Sequence, residues 1–171
     1  LEREHAKSPP IWLAIAKKGS RIASVSYAEA LEEALRYGWI DGQRRSFDER
    51  YHLVGFGARR ARSKWSQRNR EIAERLIAER RMQPAGLAAV EAAKADGRWD
   101  DAYPRQSDAV PSTDFQAALD ADPAAAARFA TLNSIERYRM IYRLHHVKGP
   151  ATRAARIERY LQELRQQGPS H

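Results

Sequence analysis

The chain has 171 residues, enough for one domain or for one domain with a smaller companion, and 43% of them are apolar, which excludes global disorder. It has no cysteine, so disulfides, thiolate metal sites and cysteine nucleophiles are excluded, and no apolar run approaches the roughly 18 residues that a membrane helix needs. The formal net charge of +8 is concentrated: Arg44 to Arg81 holds 12 Arg plus Lys against 5 Asp plus Glu, and the rest of the chain is nearly balanced.

The first residues, LEREHAKSPP, mix charges of both signs and lack the apolar centre of a secretory signal. The cytoplasm is the expected compartment, and the periplasm only if a leader has been removed. PIWLAIAKKG (10 to 19) alternates Ile11, Leu13 and Ile15 with Trp12, Ala14 and Ala16, the period of a strand. SYAEALEEALRYG (26 to 38) has Ser26 and Glu29 spaced as a capping box, Leu31, Ala34 and Leu35 on one face, and Gly38 placed to end a helix.

Residues 39 to 57 alternate again with aromatic and β-branched side chains, which predicts an antiparallel hairpin. Two turns compete for it, one at Asp48-Glu49 and one at Asp41-Gly42. With the first strand this gives a small sheet of about three strands, a usual minimum for independent stability. From Ser63 the period becomes helical, with Trp65, Ile72, Leu76 and Ile77 on one face, and Pro84 to Gly97 reads as another amphipathic helix.

Residues 100 to 112 hold two prolines and several turn formers and read as a linker. Three or four helices follow. Asp122-Pro123 marks one start, Asn133 and Glu136 form a second capping box, and Gly149-Pro150 separates the last two helices. The expected architecture is α+β: a domain over 1 to 103, a linker over 104 to 112, and a C-terminal helical domain over 113 to 171.

The segments WLAIAKK (12 to 18), SYAEALEEALRYGWIDGQ (26 to 43), SKWSQRN (63 to 69) and ERRMQPAGLAAVEAAKADGRWDDAY (79 to 103) resemble the YdeI/OmpD-associated family, also labelled bacteriocin-protection proteins. ALDADPAAAARFATL and ATRAARIERYL are similar to the helical domain of that family. The resemblance implies a role in protection against antimicrobial peptides and association with an outer-membrane porin or other protein partner. It brings no catalytic mechanism and no set of site residues.

The sharpest local feature is RRARSKWSQRNR (59 to 70), with six basic residues and no acid, leading into a helix. A helix start already favours anions through its free N–H groups and its dipole. With Ser63 as the cap, Arg59, Arg60, Arg62 and Lys64 are expected to close around an anion, with Arg44 and Trp65 beside them. The competing reading is a solvated face, or pairing with Asp41, Asp48 and Glu49. A pocket built on Trp39, Asp41 and His52 is the second candidate, against the simpler view that Trp39 packs in the core and Asp41 serves a turn.

His145-His146 closes a helix, where neighbours point about 100 degrees apart and do not ligate one metal as an i, i+4 pair does. No phosphate loop, dinucleotide fingerprint, nucleophile elbow or His-Glu-x-x-His is present, so no metal or other cofactor is expected. The leading reading is a non-enzymatic protection protein binding a small anionic ligand at the Arg-rich helix start. A nucleic-acid-binding module, with Phe47, Tyr51, Phe56 and Trp65 among the cations, comes second. A small-molecule enzyme centred on Asp41 and His52 comes third.

Overall fold

The structure is a computed structural model describing residues 1–3 and 5–166. The chain divides into two compact units, Leu1–Ala102 and Tyr103–His171. Among the described residues there are three strands and seven helices.

In the first unit β1 (Ile11–Ala16), β2 (Trp39–Ser46) and β3 (Tyr51–Ala58) form an antiparallel sheet in the order β1-β3-β2. The hairpin turns at Asp48, whose Oδ1 accepts the backbone N–H groups of Arg50 and Tyr51, each at 2.7 Å. An Asp side chain that bonds the backbone two residues ahead closes a turn without a glycine. Asp41-Gly42 lies instead inside β2, where the pairing slips between Asp41 and Arg44. The slip inserts an extra residue and bends the strand.

Period-two alternation then separates two faces. Leu13, Ile15, Val54, Phe56 and Trp39 share one face and join the core with Leu31, Leu35, Leu76 and Val90. These last four come from α1 (Tyr27–Arg36), α2 (Gln67–Ala78) and α3 (Pro84–Ala95). Trp39 is 1% exposed, and its Nε1 donates to the His5 carbonyl at 3.0 Å. Truncating so buried an indole costs roughly 3–5 kcal/mol. The other face carries Trp12, Leu53, Gly55 and Gly57.

The capping box of α1 is present: Ser26 accepts from the Glu29 N–H, and Glu29 accepts from the Ser26 N–H at 2.8 Å. Gly38 follows α1 at φ 72°, a conformation that costs a residue with a side chain. A methyl group on Gly38 would stand 2.7 Å from the Ala85 carbonyl oxygen, and one on Gly86 would strike the Arg36 carbonyl. The end of α1 and the start of α3 therefore cross with no room for a side chain at either glycine. Arg36 seals the crossing, its Nε donating to the Arg81 carbonyl at 2.9 Å and its own carbonyl accepting from the Gln83 N–H at 3.1 Å.

The helix expected from Ser63 begins later. Ser66 is its cap and accepts from the Asn69 N–H at 3.1 Å. Ser63 is engaged in a turn: its Oγ accepts from the Arg60 N–H at 3.0 Å and its N–H donates to the Arg60 carbonyl at 2.9 Å. Those reciprocal bonds hold residues 60 to 63 out of helical conformation.

The second unit packs α4 (Thr113–Asp120), α5 (Pro123–Thr131), α6 (Ser134–His145) and α7 (Pro150–Gln166) around Phe115, Leu119, Leu144, Ile157 and Tyr160. Asp122 caps α5, and Asn133 with Glu136 forms the capping box of α6. His145 ends α6 and His146 is its C-cap. Arg153 of α7 reaches the Asp114 carboxylate, the Ser112 hydroxyl and the Leu144 carbonyl, tying the start of α4 to the end of α6.

Gly86→Ala is expected to destabilise the first unit by about 1–3 kcal/mol through overpacking against rigid backbone, measured as a lower denaturant midpoint. Asp114 gives a pH signature. The Arg153 guanidinium holds its carboxyl well below the usual carboxylate range. The pair therefore contributes fully above the unfolded value near about 4 and is lost as pH falls through the folded value. With the Asp114 side chain 46% exposed, the contribution is reduced by solvent screening. The unfolding midpoints of the parent and an Asp114→Asn variant, followed by the helix signal, are expected to converge as pH drops below about 4.

Candidate functional site

The basic segment 44 to 81 divides into cations that hold the fold and cations that do not. Arg75 and Arg81 both bind the Glu32 carboxylate, at 2.5 and 2.6 Å, and both pair with Glu79. These bridges join α2 and the residues after it to α1. Glu32 titrates below its ordinary range, chiefly through the hydrogen bond from Arg75.

Arg59 is half-buried and built into the loop ahead of α2. Its guanidinium lies 3.6 Å from the centroid of the Trp65 ring, Nη1 donates to the Lys64 carbonyl at 3.2 Å, and the backbone N–H donates to the Gly38 carbonyl at 3.0 Å. Trp65 is 2% exposed and meets Trp99 edge-on at 4.8 Å. Arg98 pins the same loop by donating to the Ser63 carbonyl at 2.8 Å. Cation–π contact over a desolvated ring contributes about 2 kcal/mol, which makes Arg59 and Trp65 supports of the loop.

Arg60, Arg62 and Lys64 remain exposed, with no carboxylate partner among the described residues. Two of the acids expected to neutralise them are committed elsewhere: Asp41 accepts from the Tyr27 hydroxyl at 2.8 Å, and Asp48 serves the hairpin turn. Arg60 and Ser63 stand at the rim of a concavity of about 460 Å³ on the open face of the sheet. Its floor is the glycine backbone of Gly42, Gly55 and Gly57, and its apolar walls are Trp12 and Ile40.

The Trp12 ring lies across β3 at Gly55, close enough that a methyl group there would be in van der Waals contact with it at 3.5 Å. Arg45 stacks over that ring, 3.5 Å from its centroid. Trp12 is 42% exposed. Sequence reading passed over Trp12 and Arg45, although a tryptophan on the solvent parity of a half-buried strand was a visible signal.

Of the other predicted residues, Asp41 also lines this concavity and the rest do not. Trp39 and Trp65 are core side chains and line no pocket wall. Arg44 pairs in register with Val54, which puts it on the opposite face from Trp12, beside His52. There an Arg44 N–H meets His52 Nε2, which must accept and is therefore unprotonated. Partial burial, with the charges of Arg44 and Lys17, pushes the imidazole below its ordinary range. Burial raises the Tyr27 phenol, and the Asp41 carboxylate raises it further. Asp41 and His52 thus have separate partners and share no reacting position. Among the described residues no group of three His, Asp or Glu stands together to hold a metal ion.

A small sheet with helices packed on one face and a concavity bearing Trp12 and Arg60 on the other, followed by a four-helix unit, defines a two-unit α+β protein. The chain belongs to the family described as a domain of unknown function, DUF8412, whose model matches residues 1–89, and residues 109–167 match the model of the family described as Bacteriocin-protection, YdeI or OmpD-Associated. The second stretch holds α4 to α7 of the helical unit, while the segments at 12 to 18, 26 to 43 and 63 to 69 lie under the first. No curated protein and no solved structure matches the chain.

Proposed function

We propose that this YdeI/OmpD-associated protein acts in bacteriocin or stress protection without catalysis, by binding a small anion with a planar apolar body in the concavity beside the Arg-rich loop. One observation carries the reading. Arg60, with no carboxylate partner among the described residues, lines a cavity floored by glycine backbone and walled by Trp12 and Ile40, whose one acid, Asp41, is engaged by the Tyr27 hydroxyl, and Arg62 and Lys64 follow in the same exposed loop. The ligand body lies on the glycine floor against the indole, and its acid group meets the fork of Arg60, which grips a carboxylate through two parallel hydrogen bonds. The volume falls within the usual range for small-molecule sites. Like charges argue against direct capture of a cationic peptide by so basic a protein, so protection works through the bound anion or through a protein partner.

Nucleic acid is the second reading, favoured by Phe47, 63% exposed at the hairpin tip between Arg45 and Arg50. Stacking on that ring with phosphate contacts from the arginines would give a steep salt dependence, whereas one bound carboxylate gives a shallow one.

Benzoate is expected to raise the unfolding temperature of the parent protein and to quench its exposed tryptophan, whereas benzamide of the same shape does neither. Arg60→Ala should abolish the benzoate effect while leaving the unliganded stability within about 0.5 kcal/mol. Equal stabilisation by benzoate and benzamide, or an effect that survives Arg60→Ala, would remove the anion site. In cells, deleting the gene should raise sensitivity to an antimicrobial peptide, and restoring it with the Arg60→Ala variant should not rescue; unchanged sensitivity on deletion counts against the protection role.

A further inference from the structure

The opposite face of the sheet holds a second concentration of positive charge. After β1 the chain curls back: the Ser20 N–H bonds the Lys17 carbonyl at 3.1 Å, Gly19 takes φ 88° and Arg21 φ 56°, and Ser24 Oγ accepts from the Ala16 N–H at 3.2 Å. This curl brings Lys17, Lys18 and Arg21 around a cavity of about 380 Å³ that Arg44, His52 and Tyr27 complete from β2, β3 and α1. No acidic side chain lines it. Asp41 is held by Tyr27, and Asp48 turns its carboxylate to the hairpin backbone while its carbonyl takes the Lys17 ammonium at 2.6 Å.

Donors are left over. Lys17 gives one N–H to Asp48 and Arg44 gives one to His52, while Lys18 and Arg21 have no protein partner among the described residues. Four cations around one cavity repel one another, and the charges of Arg44 and Lys17 add to burial in lowering the titration of His52. A single carboxylate relieves little of it. A group with two or more charges relieves more and also offers the several acceptor oxygens that two guanidinium forks and two ammonium groups require.

We propose that this cavity binds a small phosphate-bearing molecule with at least two negative charges, held by Lys17, Lys18, Arg21 and Arg44. The site does not rest on the concavity at Arg60, because Arg44 and Trp12 lie on opposite faces of the sheet.

Calorimetric titration of the full chain with inorganic pyrophosphate, at fixed ionic strength and with acetate as control, tests it. Pyrophosphate should bind one to one and acetate should not. Lys18→Ala with Arg21→Ala, both exposed, should weaken binding on the order of tenfold or more. Arg139→Ala with Arg143→Ala, which removes the same charge from exposed positions of α6, should leave binding unchanged, as should Arg60→Ala. Absence of pyrophosphate binding overturns the proposal. So does an equal loss in both double variants, which would mean diffuse charge, and so does binding confined to oligonucleotides with a steep salt dependence.

Discussion

The crossing of α1 and α3 at Gly38 and Gly86 is the contact on which the first unit depends. Two backbones approach within the space a methyl group would occupy, and the carbonyl of Arg36 is used at once by Gln83. Gly38 then turns the chain so that the next residue, Trp39, enters the core as the first residue of β2, and the Gly38 carbonyl receives the N–H of Arg59. One glycine in left-handed conformation thus sets the start of β2, the end of β3 and the origin of the basic loop. The cations at 60 to 64 are displayed by a rigid corner of the fold.

Charge in this unit has two uses that composition cannot separate. Arg75 and Arg81 are consumed by Glu32 and Glu79 across the helices, and Arg59 is consumed by an indole and a carbonyl. Exposed ion pairs of this kind contribute little each, but a carboxylate shared by two arginines fixes how α2 meets α1. Of the cations without a carboxylate partner, Arg60 lines a cavity on one face of the sheet, and Lys17, Lys18, Arg21 and Arg44 line one on the other. Strand parity sends Arg44 and Arg45, neighbours in β2, to opposite faces, and the turn after β1 and the loop after β3 supply the other cations.

Much of this fold was legible in the sequence because the signals were local. Ser26 with Glu29 and Asn133 with Glu136 announce capping boxes that the backbone adopts, Gly38 ends its helix, and alternation in 11 to 16 and 51 to 58 gives strands. The start of α2 was not legible, since Ser63 and Ser66 are equal candidates until the reciprocal bonds between Arg60 and Ser63 are known. The makeup of the candidate site was legible only in part, for a related reason. The slip between Asp41 and Arg44 resets which residues of β2 face the helices, and no spacing rule reveals a bulge that depends on the partner strand. Hence Trp39, Arg44 and Arg60, close together in a list of charges and rings, end in a core, on one face and on the other.

The distribution of aromatic residues carries a last consequence. All four tryptophans, at 12, 39, 65 and 99, belong to the first unit, whereas the helical unit has tyrosines at 103, 138, 142 and 160 and no indole. Tyr138 is pushed up to about 12 by burial, so it stays un-ionised through neutral and mildly alkaline pH. Indole emission therefore reports on the sheet unit alone, whereas phenol absorption comes from both units, because Tyr27, Tyr37 and Tyr51 lie in the first. The protein thus carries its own optical label for one core, and set beside the helix signal, to which both units contribute, it separates unfolding of the sheet unit from that of the helical unit in a single unmodified sample.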